Sequence, residues 1–128
     1  MLLVKTKIGL SKINGIGLFA DQFIPQGTVT WKLAPEFDLR FSAKDLEVLS
    51  MPARELFLKY AFLSKRSGLY VLCFDDERFF NHSFDPNIGD ADSSDSIEGI
   101  DFAIRNIYAG EELACDYRAF DAQYTGFP

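Results

Sequence analysis

Three observations predict a mainly β domain. Short apolar runs rich in β-branched and aromatic residues recur between turn signals such as Asn14-Gly15 and Pro25-Gln26-Gly27. Helical spacing is confined to two brief stretches inside residues 36–66. Aromatic residues make up 15% of the chain, with 13 Phe, a supply that suits a tightly packed β-rich interior.

Taken in order, residues 2–8 and 16–20 read as strands joined through Lys12-Ile13-Asn14-Gly15, where Asn-Gly favours a tight hairpin. Pro25-Gln26-Gly27 turns the chain into the strand Thr28–Leu33. Ser42 with Asp45 forms a capping box for a short helix that turns Leu46 and Leu49 inward. A second helix is predicted from Pro52 to Leu63, with Ala53, Leu56, Phe57, Tyr60 and Ala61 on its apolar side. Leu69–Phe74, Ile100–Ile107 and Leu113–Tyr117 read as strands. Between the first two, Gly89–Gly99 is so polar and so rich in loop formers that a solvated loop is predicted. Asp90, Asp92 and Ser94, with Asp101 just beyond the segment, partly imitate a calcium loop, but the central glycine is replaced by Asp95, so a solvated loop remains the expectation.

At 128 residues, without repeats or a dividing linker, the chain fits one domain. A net charge of −6 argues against a nucleic-acid surface and suits a partner rich in Lys or Arg. Cys73 and Cys115 with a single His are too few for a four-ligand zinc site, so no metal is expected and both thiols are expected reduced. No apolar run reaches the roughly 18 residues that suggest a membrane span. Met1–Lys5 is short and lacks a basic leader, so the expectation is a cytoplasmic protein, or a nuclear one in a eukaryote.

Two segments concentrate the chemistry. Arg78-Phe79-Phe80-Asn81-His82-Ser83-Phe84-Asp85-Pro86-Asn87 sets an aromatic pair beside the only histidine and two asparagines. Gly110-Glu111-Glu112-Leu113-Ala114-Cys115-Asp116-Tyr117 closes a strand-like run on a tyrosine, whose hydroxyl requires a partner or a task if buried. With Asn14-Gly15-Ile16-Gly17 upstream, the order and spacing of these motifs resemble those of the SET-domain family over residues 1–118. The resemblance implies small curved sheets around a threaded C-terminal segment, with a short insert at 36–66 and a tail at 119–128. It further implies S-adenosylmethionine as methyl donor and a lysine-containing, basic protein as substrate.

On that resemblance Asn14, Gly15, Ile16 and Gly17 hold the amino-acid end of the donor, although a plain hairpin turn explains the same residues. Asn81 both donates and accepts, which suits an ammonium and a carboxylate held together. His82 offers its main chain, its ring serving structure. Tyr117 orients the attacking nitrogen; an ordinary phenol titrates near pH 10 and makes a poor base there. Phe37, Phe57 and Tyr60 are candidates for the substrate groove, core packing being the alternative.

The pattern is also broken in places. Phe84 stands where the family often has Cys, and no cysteine follows Tyr117, so the zinc-binding tail is missing. Phe120, Tyr124 and Phe127 are candidates for an aromatic lid over the donor, with a frayed tail as the alternative. Cys115 replaces an aromatic that in the family helps set the number of methyl groups added; its small size leaves room for higher methylation. These departures keep open a second reading, a catalytically weak domain acting as a binding module. Pairing into a homodimer that completes the groove is a further expectation.

Overall fold

The computed structural model describes residues 1–124. Its strands are β1 (Thr6–Leu10), β2 (Ile16–Ala20), β3 (Val29–Lys32), β4 (Leu39–Phe41), β5 (Phe62–Leu63), β6 (Tyr70–Leu72), β7 (Asn81–His82), β8 (Ile88–Ser93), β9 (Ser96–Ala103) and β10 (Glu112–Cys115). Two helices, α1 (Ala43–Leu46) and α2 (Met51–Tyr60), lie between β4 and β5. One sheet runs β1-β2-β10-β8-β9-β3, with β7 also paired to β10, and a smaller one runs β4-β6-β5.

The β1–β2 hairpin turns at Gly15, whose φ of 49° lies in the left-handed region that glycine occupies without strain. Its inner face contributes Leu18 and Ala20 to a core with Ile24, Phe80, Ile88, Ala103, Ile107, Leu113 and Cys115. Trp31, Leu33, Val71 and Cys73 form a second cluster under the small sheet. A fully buried Leu, Ile or Val stabilises the fold by about 1.5–3 kcal/mol, so these clusters carry the scaffold.

β10 is held from both sides. It pairs antiparallel with β2 through Leu113 and Leu18, and parallel with β7 through Ala114 opposite Asn81 and Cys115 opposite His82. Ser83 N donates to Cys115 O, and Asn87 N to Ala114 O. The buried Asn87 carboxamide completes the clamp: it donates to Glu112 O at 2.8 Å and accepts from Ala114 N at 2.9 Å. The C-terminal strand is thus threaded between the first hairpin and the loop that follows β7.

Several expected boundaries shift. Only Leu2 of the first expected strand's start pairs, as a lone bridge to Trp31, and β1 begins at Thr6. The second helix stops at Tyr60 because Ala61 is extended (φ −83°, ψ 158°), and Phe62 and Leu63 pair with β6 instead. Leu56 points outward; Phe57 is the buried residue of α2, its ring stacked on Phe41. The capping box of α1 is present at Ser42 and Asp45. The largest correction concerns residues 89–99, which form most of the β8–β9 hairpin rather than a solvated loop. Their polar groups find partners inside: Arg66 forks onto Asp90 at 2.7 and 3.2 Å, and Ser64 donates to Glu98 at 2.5 Å. Asp90 and Asp92 therefore hold a guanidinium, not a cation site.

Asn87→Ala removes both side-chain bonds to β10 and leaves a buried N–H and carbonyl unpaired, at about 1–3 kcal/mol each. Urea denaturation should show a loss of roughly 2–4 kcal/mol; a loss under about 1 kcal/mol would show that the clamp does not hold the strand.

Candidate functional site

The site is assembled where β10 passes the hairpin. Asn81 is buried, and its Nδ2 faces Asn14 O and Ser11 Oγ at 3.0 Å, Glu112 Oε2 at 3.0 Å and Ile16 O at 3.4 Å. Ser11 Oγ donates to the Glu112 carboxylate and accepts from the backbone N–H groups of Ile13 and Asn14. The amide end of Asn81 is therefore engaged by its own chain, which ties the Asn14–Ile16 turn to β10. Its oxygen accepts no hydrogen bond among the described residues and is the half available to a ligand.

Gly17 lies behind this wall and serves it differently from expectation. A Cβ there would stand 2.4 Å from Glu112 Oε2, so the glycine makes room for the carboxylate rather than touching the cavity. Ser11 and Glu112 are the residues that sequence reasoning missed. No role attaches to Glu112 in the sequence motif, and only its approach to Gly17 marks it.

Tyr117 follows β10 and opens a short 3₁₀ turn. Its hydroxyl donates to Phe80 O, and its backbone N–H donates to His82 Nδ1 at 3.0 Å. The second bond makes Nδ1 an acceptor, so the imidazole orients Tyr117 instead of lining the cavity. Burial pushes the Tyr117 phenol well above its usual range, which fits a hydrogen-bonding group and not a base. Burial likewise raises the Cys115 thiol and keeps it neutral.

Asn14, Gly15, Ile16, Asn81, Tyr117 and Tyr60 border one cavity of about 480 Å³ with Phe79, Phe80, Lys59 and Arg78. That size lies within the roughly 300–1,000 Å³ of small-molecule sites. The walls offer carbonyls, a carboxamide oxygen and ring faces, the chemistry that a sulfonium and an adenine require. Gly17 and His82 support this wall from behind. Phe37 does not reach it: half exposed, it packs edge-on against Phe74. Phe120 and Tyr124 also stay off it, Phe120 packing on Phe62 and Tyr117, and Tyr124 on His82 and Tyr117. Phe127 lies outside the described residues.

Behind Tyr117 opens a second, half-open chamber of about 220 Å³ that shares Lys59, Tyr60, Arg78, Phe80 and Tyr117 with the first. Cys115 lies in its wall, as do Glu77 and Asp101. Glu77 is 7% exposed and lies beside Asp101, and its Oε2 has no hydrogen-bond partner among the described residues. Burial is the main cause that raises both, Asp101 to about 7 and Glu77 well above its usual range. Nothing in the motifs marks this pair, because Glu77 and Asp101 lie 24 positions apart and meet only through β9.

The family model for the SET domain matches residues 15–118, and the chain belongs to that family. Among solved structures it is similar to a Plasmodium falciparum protein assigned as a histone methyltransferase (18% identity, TM-score 0.61, covering 91% of this chain and 95% of that one). It is similar also to a humanized mutant of the Chaetomium thermophilum Polycomb Repressive Complex 2 bound to an inhibitor (25% identity, TM-score 0.68, 94% of this chain). A third likeness is to ctPRC2 in an autoinhibited conformation bound to S-adenosylmethionine (24% identity, TM-score 0.68, 94% of this chain). The chain spans 16% of each Polycomb chain it matches. No curated protein shows significant similarity to it.

Two outcomes follow from this geometry. A carboxyl raised by folding stabilises the fold while protonated: the contribution of Asp101 is complete below its unfolded pKa near 4 and is lost as pH rises through about 7. Thermal midpoints should therefore fall between about pH 4 and 7, and Asp101→Asn should flatten that slope; an unchanged slope would free Asp101 of the effect. Gly17→Ala should cost about 1–3 kcal/mol in urea denaturation by displacing Glu112, whereas near-wild-type stability would show that the carboxylate is not confined.

Proposed function

We propose that this chain is an S-adenosylmethionine-dependent methyltransferase acting on the side-chain nitrogen of a protein lysine. The observation that carries the reading is that the Asn81 carboxamide and the Tyr117 phenol border one cavity, with the Asn14–Ile16 turn beside them. Family membership and a neighbour that binds S-adenosylmethionine support it.

When bound, S-adenosylmethionine supplies an electrophilic methyl group on a sulfonium. Asn81 Oδ1 and the carbonyls of the hairpin turn are the acceptors for the donor's ammonium. Lys59 and Arg78 supply positive charge toward its carboxylate. Phe79 and Phe80 offer flat apolar surface. Tyr117, fixed through its main chain by His82 and through its hydroxyl by Phe80 O, holds the incoming nitrogen in line. Positioning of this kind removes about 7–11 kcal/mol of barrier when reactants are well oriented. A net charge of −6 favours a basic protein as the substrate.

Tyr117→Phe should keep donor affinity within a few-fold by calorimetry and slow transfer of labelled methyl groups tenfold or more, about 1.4 kcal/mol of barrier. Equal turnover in the two proteins would remove Tyr117 from the chemistry.

A further inference from the structure

The larger sheet ends in β3 on one side and in β1 on the other, and only the first end is covered. Beside β3 the first residues of the chain lie as a partial strand: Leu2 bridges to Trp31, Leu3 N donates to Thr30 O, and Lys32 N donates to Met1 O. β1 has β2 on one side and no strand on the other. At the two ends of the hairpin, Asp21 N donates to Lys5 O and Ser11 N to Gly15 O. The odd-numbered residues of β1 therefore turn their main-chain groups toward β2. Those of Thr6, Ile8 and Leu10 point out along the open edge.

Side chains along this edge are sorted by face. Strand alternation sets Ile8 and Leu10 on one face, and Lys5 and Lys7 on the other. Leu18 stands opposite Ile8, and Ile16 opposite Leu10. Leu18 enters the core, but Leu10 is 88% exposed and Ile8 and Ile16 are half exposed, so the apolar stripe runs past the core into solvent. Charge is just as uneven. Residues 1–20 hold three of the 13 Lys and Arg (Lys5, Lys7 and Lys12) and none of the 19 Asp and Glu. No described ion pair includes these lysines, nor Asp21 after β2, nor Asp76 in the 3₁₀ turn Asp76–Phe79 that packs against β1. The nearby Glu112 carboxylate is already engaged by Ser11 and Asn81.

Lysines on an edge strand also discourage unwanted pairing. Protection alone does not account for Ile8 and Leu10 beside them, since a fold that only blunted its edge would be polar on both faces. The lysines instead select the partner. Two copies meeting edge to edge would set lysines against lysines, whereas an acidic strand would neutralise them.

We propose that the open edge of β1 binds an extended segment of a partner protein in which acidic and apolar residues alternate, added to the sheet as a further strand. The main chain of Thr6, Ile8 and Leu10 supplies the ladder, Ile8 and Leu10 receive the apolar side chains, and Lys5 and Lys7 face the carboxylates.

Two acetylated, amidated peptides serve as probes, one alternating Glu with Val and the other Lys with Val. Titrated into the full chain, the Glu–Val peptide should shift the amide resonances of Thr6, Ile8 and Leu10 saturably. It should bind at least about tenfold more tightly than the Lys–Val peptide, with a margin that shrinks as salt is raised. Ile8→Pro removes an outward N–H that β2 does not use, so the hairpin ladder survives while peptide binding is abolished. Lys5→Glu combined with Lys7→Glu should invert the preference between the peptides. Equal binding of the two peptides, binding of neither, or wild-type affinity in a folded Ile8→Pro protein overturns the proposal. So does self-association of the peptide-free chain, read by sedimentation, that Ile8→Pro abolishes, because it assigns the edge to a second copy. The two peptides on the unaltered chain decide the matter if neither variant folds.

Discussion

The loop from Asn81 to Asn87 grips β10 against the first hairpin, and everything functional in the molecule is referred to that grip. Two carboxamides make it. Asn87 bonds the backbone of β10 directly, and Asn81 ties the hairpin turn to Glu112 on the same strand. A carboxamide suits this task because one side chain carries both a donor and an acceptor and brings no charge into the core. The strand's pairing partners are distant in sequence, Leu18 lying 95 positions before Leu113 and Asn81 33 before Ala114. Loop closure over such separations is entropically unfavourable and must be offset by bonds that form only in the final arrangement.

The same arrangement explains why the sequence was informative in some places and silent in others. Asn-Gly at 14–15 and the Ser42–Asp45 capping box act through neighbours in the chain, and both features appear where local chemistry puts them. The block at 78–87 and the one ending at Tyr117 carried enough residues in order to imply the family, hence the threading that no periodicity encodes. Residues 89–99 misled because polarity was read as exposure. Burial of Glu98 and Asp90 depends on Ser64, Arg40 and Arg66, which lie more than 20 residues away and cannot be paired by inspection. Glu112 and Ser11 were overlooked for a like reason: their meaning lies in a contact made across the strand, at Gly17 and Asn81. Phe37 failed from the opposite cause, since an aromatic at helical or strand spacing says nothing about which surface it meets.

Electrostatics divide the site into two unlike halves. On the Asn81 side, neutral acceptors border the cavity, while Lys59 and Arg78 are common to both spaces. On the Cys115 side, buried carboxyls dominate, and two of them resist ionisation because the surroundings solvate charge poorly. A fold optimised for stability alone would fill the second space with apolar side chains, because replacing buried ionisable groups in that way is often neutral or stabilising.

Tyr117 stands at the boundary, and its constraints follow from that position. A phenol free to rotate would neither separate the two spaces nor present its ring and hydroxyl to them in a fixed sense. Its main chain is held by an imidazole nitrogen, its hydroxyl by the Phe80 carbonyl, and its ring by Phe120 and Tyr124. With its phenol held protonated, it donates one hydrogen bond and retains lone pairs for another group. His82 thus acts on the site from outside it: losing the imidazole would release the Tyr117 backbone, and the wall between the two spaces would lose its register before either cavity lost a lining residue.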